Sequence, residues 1–249
     1  WMTENSLYNT RLNKYEMINM KKIIGLLAGM GPAASVALFD NIVKMTDAKS
    51  DQENIRIIID NNTSIPDRTA YIIGKGTDPR KHLIESALKL KEAGADFIIM
   101  PCNTAHYFYK EITDGAGVSM VHLIEETVKN IVERGIQKVG LLATTGTIKT
   151  NIYNSIGARA DIDIIIPDIE YQEKNMKFIY DIKEGRNGCI SDFNEAIENL
   201  KSKGAEFFIL GCTELSVANN IHDFGDKFID PLKIISEVAI ELAGYKVKK

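Results

Sequence analysis

Short apolar runs rich in β-branched residues recur along the chain: IIGLLA (23–28), IRIIID (55–60), DFIIMP (96–101), SMVHL (119–123), KVGLLA (138–143), DIDIIIP (161–167), EFFILG (206–211) and KFID (227–230). Each is short, bounded by turn residues and apolar on both faces, which reads as a buried strand. Between them, PRKHLIESALKLKEAG (79–94), LIEETVKNIVERG (123–135) and ISDFNEAIENLKSKG (190–204) carry the apolar spacing of a helix with one buried face. Ser191 is the expected N-cap of the last helix and Gly204 its C′ residue. Strands that read as continuous apolar runs, alternating with helices, imply parallel sheets covered on both faces. The expected fold class is therefore α/β.

The pattern also repeats. LKEAGADFIIMPCNT (90–104) aligns with LKSKGAEFFILGCTE (200–214), so that Leu90, Lys91, Gly94, Ala95, Phe97, Ile99 and Cys102 match Leu200, Lys201, Gly204, Ala205, Phe207, Ile209 and Cys212 at a constant offset of 110. KKIIGLLAGMG (21–31) aligns with QKVGLLATTGT (137–147) at an offset of 115, with Gly25-Leu26-Leu27-Ala28 reappearing as Gly140-Leu141-Leu142-Ala143. Two echoes in the same order at nearly the same spacing read as a duplicated half. The expected architecture is two similar, pseudo-symmetric domains, each a mostly parallel sheet flanked by helices, with a cleft between them. The expected division is a tail over residues 1–19, a first domain over 20–117 plus 226–249, and a second over 118–225. The C-terminal helix PLKIISEVAIELAG (231–244) returns to the first domain in this scheme, because the second half is complete once Cys212 and its helix are made.

Composition narrows the possibilities. The 249 residues are 45% hydrophobic and 26% charged, with a net charge of −4, as in a soluble globular chain that needs no disulfide or metal to hold a core. No basic patch suggests nucleic acid or an anionic membrane surface. Cysteines at 102, 189 and 212 are too few and scattered for a disulfide framework and form no CxxC pair, which points to a reducing cytoplasm. The segment from Met20, MKKIIGLLAGMGPAASVAL, has the outline of a signal peptide. Its apolar run is short, leads into a glycine turn and recurs later in the chain, so it is expected to be a strand. No run approaches the ~20 residues of a membrane span.

Chemistry concentrates at the paired cysteines. Ligands of open parallel sheets bind beyond the carboxyl ends of the strands, and Cys102 and Cys212 both fall there. Two thiols entering one cleft from opposite halves, one thiolate and one protonated, are the acid and base needed to invert a stereocentre. To straddle one carbon they would stand roughly 6 to 7 Å apart. Cys189 has no counterpart and reads as a small buried hydrophobe.

On GMGP (29–32), IPDRT (65–69), PCNTAH (101–106) and GCTEL (211–215), the chain from about Lys22 onward resembles the cofactor-independent aspartate/glutamate racemase superfamily. The resemblance implies two similar α/β domains with the active site between them, Cys102 and Cys212 as the catalytic pair, Arg68 as a substrate ligand and Lys183 as a second cationic contact. Glutamate racemases carry His after the second Cys-Thr, whereas this chain has Glu214, which favours the aspartate branch. Ala28 stands where many members have another glycine.

The residues around the cysteines have physical readings of their own. Asn103, Thr104 and Thr213 either hold a substrate α-carboxylate with side-chain and helix-start donors or cap the following helices. Glu214 either tunes Cys212 or is a solvated first-turn carboxylate. His106, one turn beyond Cys102, either assists it or packs. Arg68 suits a carboxylate with its bidentate fork, the alternative being a contact with Asp67. Met30 and Gly31 are placed to line the cleft. No GxGxxG, P-loop or pyridoxal-phosphate lysine context is present, so no cofactor is expected, nor a metal. The expected function is interconversion of L- and D-aspartate, with glutamate as a further substrate, and the expected partners are an acidic amino acid and a second copy of the chain. The alternatives are another superfamily enzyme, such as a maleate isomerase or hydantoin racemase, and a non-catalytic amino-acid-binding protein.

Overall fold

A computed structural model describes residues 21–248; the expected tail over 1–19 lies outside them. Strands β1 (Ile24–Ala28), β2 (Ile57–Asn61) and β3 (Phe97–Ile99) form one sheet in the order β2-β1-β3. Strands β4 (Lys138–Ala143), β5 (Asp163–Ile165), β6 (Phe207–Gly211) and β7 (Phe228–Ile229) form a second, in the order β5-β4-β6-β7. All these strand pairs are parallel. In each half the first strand is central, the second adds on one side, and the chain then crosses back to the other. That reversal opens a crevice at the carboxyl ends of β1 and β3, and again at those of β4 and β6.

Each sheet buries both faces, as the unbroken apolar runs require. On one face of β1, Ile24, Leu26 and Ala28 pack with Leu38 and Ile42 of α1 (Pro32–Met45); on the other, Leu27 packs with Leu83, Ala87 and Leu90 of α3 (Arg80–Glu92). In the second sheet, Val139, Leu141 and Ala143 face α5 (Leu123–Glu133) and α7 (Ile152–Ala158), while Leu142 faces α8 (Ile169–Lys183) and α9 (Ile190–Ser202). Short helices α2 (Arg68–Ile72), α6 (Thr145–Lys149) and α10 (Thr213–His222) sit at the crevices, while α4 (Tyr109–Ala116), behind a 3₁₀ turn at Thr104–Phe108, packs with α3.

The last helix, α11 (Pro231–Leu242), does not simply return to the first half. Its Leu232, Ile235, Ala239 and Ile240 join the core around β1 and α1, whereas Ile234 joins that of the second sheet and Val238 touches both. The boundary drawn at 226 falls before β7, which pairs with β6, so the chain leaves the second sheet near Asp230. Near residue 118, Met120 bridges to Ile98, and the change of partner comes inside α5, with Leu123 in the first core and Ile124 in the second.

Two local expectations differ from the structure. SMVHL is no strand, because only Met120 bridges to a neighbour before His122 caps α5 by accepting from the Glu125 N–H at 3.2 Å. Helix α9 begins earlier than expected: Cys189 occupies the N-cap, Ser191 lies inside the helix, and Gly204 follows the C-cap Lys203.

The turn after β1 depends on Gly29, whose φ is +96° and whose added Cβ would lie 2.5 Å from the Asn62 backbone. Gly29→Ala should therefore cost more than about 2 kcal/mol in urea denaturation, since left-handed strain and a backbone clash act together. Gly135→Ala is the control: its φ is +68° with nothing within 4 Å of the added Cβ, so only the strain of roughly 1 kcal/mol applies.

Candidate active site

Strand β3 ends at Ile99, and Met100-Pro101 carry the chain across the sheet end to Cys102. Strand β6 ends at Gly211, so Cys212 follows at once and takes the N-cap position of α10. Both thiols are buried and free, and both line one narrow cleft at the junction of the two sheet ends. Around them stand Met30, Arg68, Asn103, Thr104, Lys183, Thr213 and Glu214; Gly31, expected beside Met30, and His106 are not among the residues lining the cleft. Asp67, Thr69 and Thr144 line it as well and were not anticipated. A signal for Thr144 exists, because the 115-residue offset sets it opposite Gly29 in the first Gly-rich turn.

Charge is distributed unevenly over the cleft. Arg68 is 7% exposed; its guanidinium donates to the carbonyls of Pro66 (3.0 Å), Ile65 (3.3 Å) and Met30 (3.4 Å), and its Nε has no partner. It makes no ion pair among the described residues, and the neighbouring Asp67 carboxylate is used to cap α2 by accepting from the Ala70 N–H at 2.6 Å. A buried cation held only by carbonyls is incomplete, because burial of charge is costly without an opposite charge.

On the opposite wall, Glu214 is 3% exposed and is not a solvated carboxylate. Its Oε2 accepts from the Cys212 thiol at 2.9 Å, and its Oε1 lies 3.9 Å from Lys183 Nζ. Burial pushes the Cys212 thiol well above the ordinary range, and the Glu214 charge pushes it further, so Cys212 is held protonated; Lys183 opposes this only in part. Burial works against the Lys183 ammonium, but its pKa is left raised, chiefly by the Glu214 carboxylate.

A seam of hydroxyls joins the two walls. Thr104 Oγ1 lies 2.9 Å from Thr144 Oγ1 and 2.8 Å from Thr147 Oγ1, and Thr213 Oγ1 donates to the Pro101 carbonyl at 3.1 Å. Thr144 caps α6, accepting from the Thr147 N–H at 3.1 Å. The approach is close enough that a Cβ on Gly146 would lie 2.7 Å from Thr69 Oγ1. Asn103 shows the same cross-linking: its Oδ1 accepts from the Tyr153 hydroxyl at 2.6 Å, while its buried Nδ2 has no partner.

Two other candidates resolve differently. His106 packs and does not line the cleft: Nδ1 bonds the Cys102 carbonyl at 2.8 Å, Nε2 accepts from the Leu123 N–H at 3.2 Å, and burial lowers its pKa to about 3. It therefore fixes the Cys102 backbone as a neutral ring. Cys189 is not a buried hydrophobe but a partly exposed residue at the start of α9, with Sγ 3.0 Å from Ser191 Oγ.

The chain matches the family described as Asp/Glu/Hydantoin racemase over residues 27–239. It is 31% identical to the broad specificity amino-acid racemase RacX of Bacillus subtilis over 203 residues, which is 78% of this chain and 86% of that protein. Its fold superimposes on Picrophilus torridus aspartate racemase with a TM-score of 0.76 at 29% identity, covering 92% of this chain and 96% of the other. An aspartate racemase homologue from Pyrococcus horikoshii gives a TM-score of 0.71 at 26% identity, covering 90% of this chain and 100% of the other. Among the described residues no helix is long and apolar enough to cross a membrane.

The electrostatics of the Cys212 wall give a signed expectation. In a Cys102→Ala, Cys189→Ala background, the pH midpoint for alkylation of Cys212 by iodoacetamide should fall when Glu214 is changed to Gln, because a negative neighbour that opposes the thiolate is removed. Lys183→Met should move the midpoint up, because a positive neighbour that favours the thiolate is lost. Midpoints that do not move would show that neither charge reaches the sulfur.

Proposed function

We propose, since this chain belongs to the Asp/Glu/hydantoin racemase family, that it interconverts L- and D-aspartate without a cofactor, using Cys102 and Cys212 as bases on opposite faces of the α-carbon. The observation that carries the reading is the composition of the cleft: a buried sulfur from each half, beside a buried guanidinium with no acidic partner among the described residues. A binding protein would need the guanidinium but not the paired sulfurs. The likeness to Picrophilus torridus aspartate racemase and to the broad specificity amino-acid racemase of Bacillus subtilis supports the same chemistry.

In this reading Arg68 takes the side-chain carboxylate of the substrate with its fork, while Asn103 Nδ2, the Thr104 hydroxyl and the N–H groups at the start of α10 take the α-carboxylate. One sulfur, as thiolate, removes the α-proton; the electron pair left on carbon spreads into the α-carboxylate, where those donors stabilise it more strongly than in the ground state. The other sulfur gives its S–H proton to the opposite face. Inversion is complete, and the two sulfurs have exchanged roles. Glu214 sets the resting arrangement by keeping Cys212 protonated. Lys183 neutralises Glu214 and offers a second positive charge to the acidic substrate. The division into two halves belongs to the same proposal, supported by one sheet and one cysteine in each; so do a reducing cytoplasm, which suits three free cysteines among the described residues, and a homodimer.

Purified protein incubated with L-aspartate in deuterium oxide, without added cofactor, should form D-aspartate that carries deuterium at the α-carbon from the earliest times, while recovered substrate carries little. Cys102→Ala and Cys212→Ala should each remove racemisation while leaving the circular dichroism spectrum unchanged. Equal deuterium in substrate and product would mean that one base serves both faces, and turnover of maleate instead of aspartate would replace the reading with an isomerase.

Arg68→Ala should lower kcat/KM for aspartate by roughly 10²-fold or more, since a charge-assisted bidentate contact in a shielded cleft is lost. Alanine, measured beside it, should change much less. Equal losses on both would show that Arg68 serves the turn rather than the substrate.

A further inference from the structure

We infer that Tyr153, which does not line the cleft, is a positioning residue that turns the Asn103 amide so that its N–H₂ and not its carbonyl faces the substrate; this rests on the racemase reading above. Tyr153 lies in α7, is 0% exposed and is built into the core of the second sheet with Val128, Ile131 and Ile164. Its hydroxyl reaches out of that core to a residue of the other half, donating to Asn103 Oδ1 at 2.6 Å. Burial pushes the phenol pKa far above its ordinary value, so the group stays a donor at any working pH.

The consequence lies in the other end of the amide. Asn103 is 2% exposed, lines the cleft next to Cys102, and its Nδ2 has no hydrogen-bond partner. A primary amide can sit either way round with almost the same shape, and only its neighbours decide between N–H₂ and C=O. The phenol O–H bonded to Oδ1 favours one orientation here: the flipped amide would give up that bond, could replace it only by donating to the phenol oxygen, and would turn an acceptor toward the bound carboxylate. A lost donor together with a new repulsion would weaken the site more than a missing contact alone. Because the phenol belongs to one half and the amide to the other, the donor is oriented only when the two halves are seated together.

The test is a double-mutant cycle. Tyr153→Phe keeps the ring in its core and deletes only the hydroxyl; kcat/KM for aspartate should fall by roughly 10- to 100-fold. Asn103→Ala should fall by a similar factor, and the double variant should be no worse than Asn103→Ala alone, because without the amide there is nothing to orient. Fold losses that multiply across the two sites, or a Tyr153→Phe variant with full activity, would overturn the assignment.

A second readout does not need turnover. The Asn103 side-chain amide resonances of ¹⁵N-labelled protein, identified by their loss in Asn103→Ala, should show one amide orientation in the unsubstituted protein and two exchanging orientations in Tyr153→Phe. Two exchanging orientations in the unsubstituted protein would reject the proposal even if Tyr153→Phe did not fold. A single fixed amide in a protein that fails to racemise aspartate would leave the role of Tyr153 standing and reject the racemase reading instead.

Discussion

The hydroxyl of Thr104 lies between those of Thr144 and Thr147, and Thr213 bonds to the carbonyl of Pro101. These contacts are possible only because two sheet ends meet at close range, with Gly146 against Thr69. The seam is the constraint on which the site depends. A few ångströms of separation would part the two sulfurs, free the Asn103 amide and let water reach Arg68, Lys183 and Glu214 together. Buried hydroxyls suit this seam: each has one donor and two acceptor positions, so the cluster satisfies itself without introducing charge.

Duplication explains the frame but not the chemistry inside it. Both sheets use the same order of central, flanking and returning strand, and both place a small-residue turn and a cysteine at the point of reversal. The residues that carry charge break the symmetry. Arg68 comes from the first half, whereas Lys183 and Glu214 come from the second. For the acidic substrate proposed above, a cleft symmetric in charge would have no means of telling the two carboxylates apart; this one has a single fork on one wall and a neutralised pair on the other.

The α/β class, the parallel strands and the cysteine pair are legible in the sequence because each leaves a periodic or repeated trace: unbroken apolar runs, helical spacing and the offset that joins Cys102 to Cys212. Lys183 is marked by resemblance alone, since a lysine at the end of a helix carries no sign of its burial, whereas Arg68 also stands in a polar loop where its fork suits a carboxylate. What stayed hidden depends on contacts between distant segments. Tyr153 reads as one more apolar position of an amphipathic helix, and nothing in IYNSIGA announces that its hydroxyl crosses to the other half. The dual packing of α11 was equally silent, because Ile234 and Ile235 differ only in the direction in which they point.

Glu214 has Thr104 as its counterpart across the repeat, so the carboxylate that bonds to Cys212 is replaced, two residues beyond Cys102, by a hydroxyl bonded to Thr144 and Thr147. For the proposed reaction this inequality has a thermodynamic limit. Free L- and D-amino acids are equal in energy in an achiral solvent, so the two directions must share one value of kcat/KM whatever the protein does. The asymmetry of the sulfurs can appear only in how kcat and KM are divided for each enantiomer. It appears also between turnovers, when the empty enzyme must pass a proton from one sulfur back to the other. The enantiomer that leaves Cys212 deprotonated beside Glu214 hands the enzyme back in its less stable form, from which the return is downhill; the slower, uphill return follows turnover of the other enantiomer and sets the lower ceiling there.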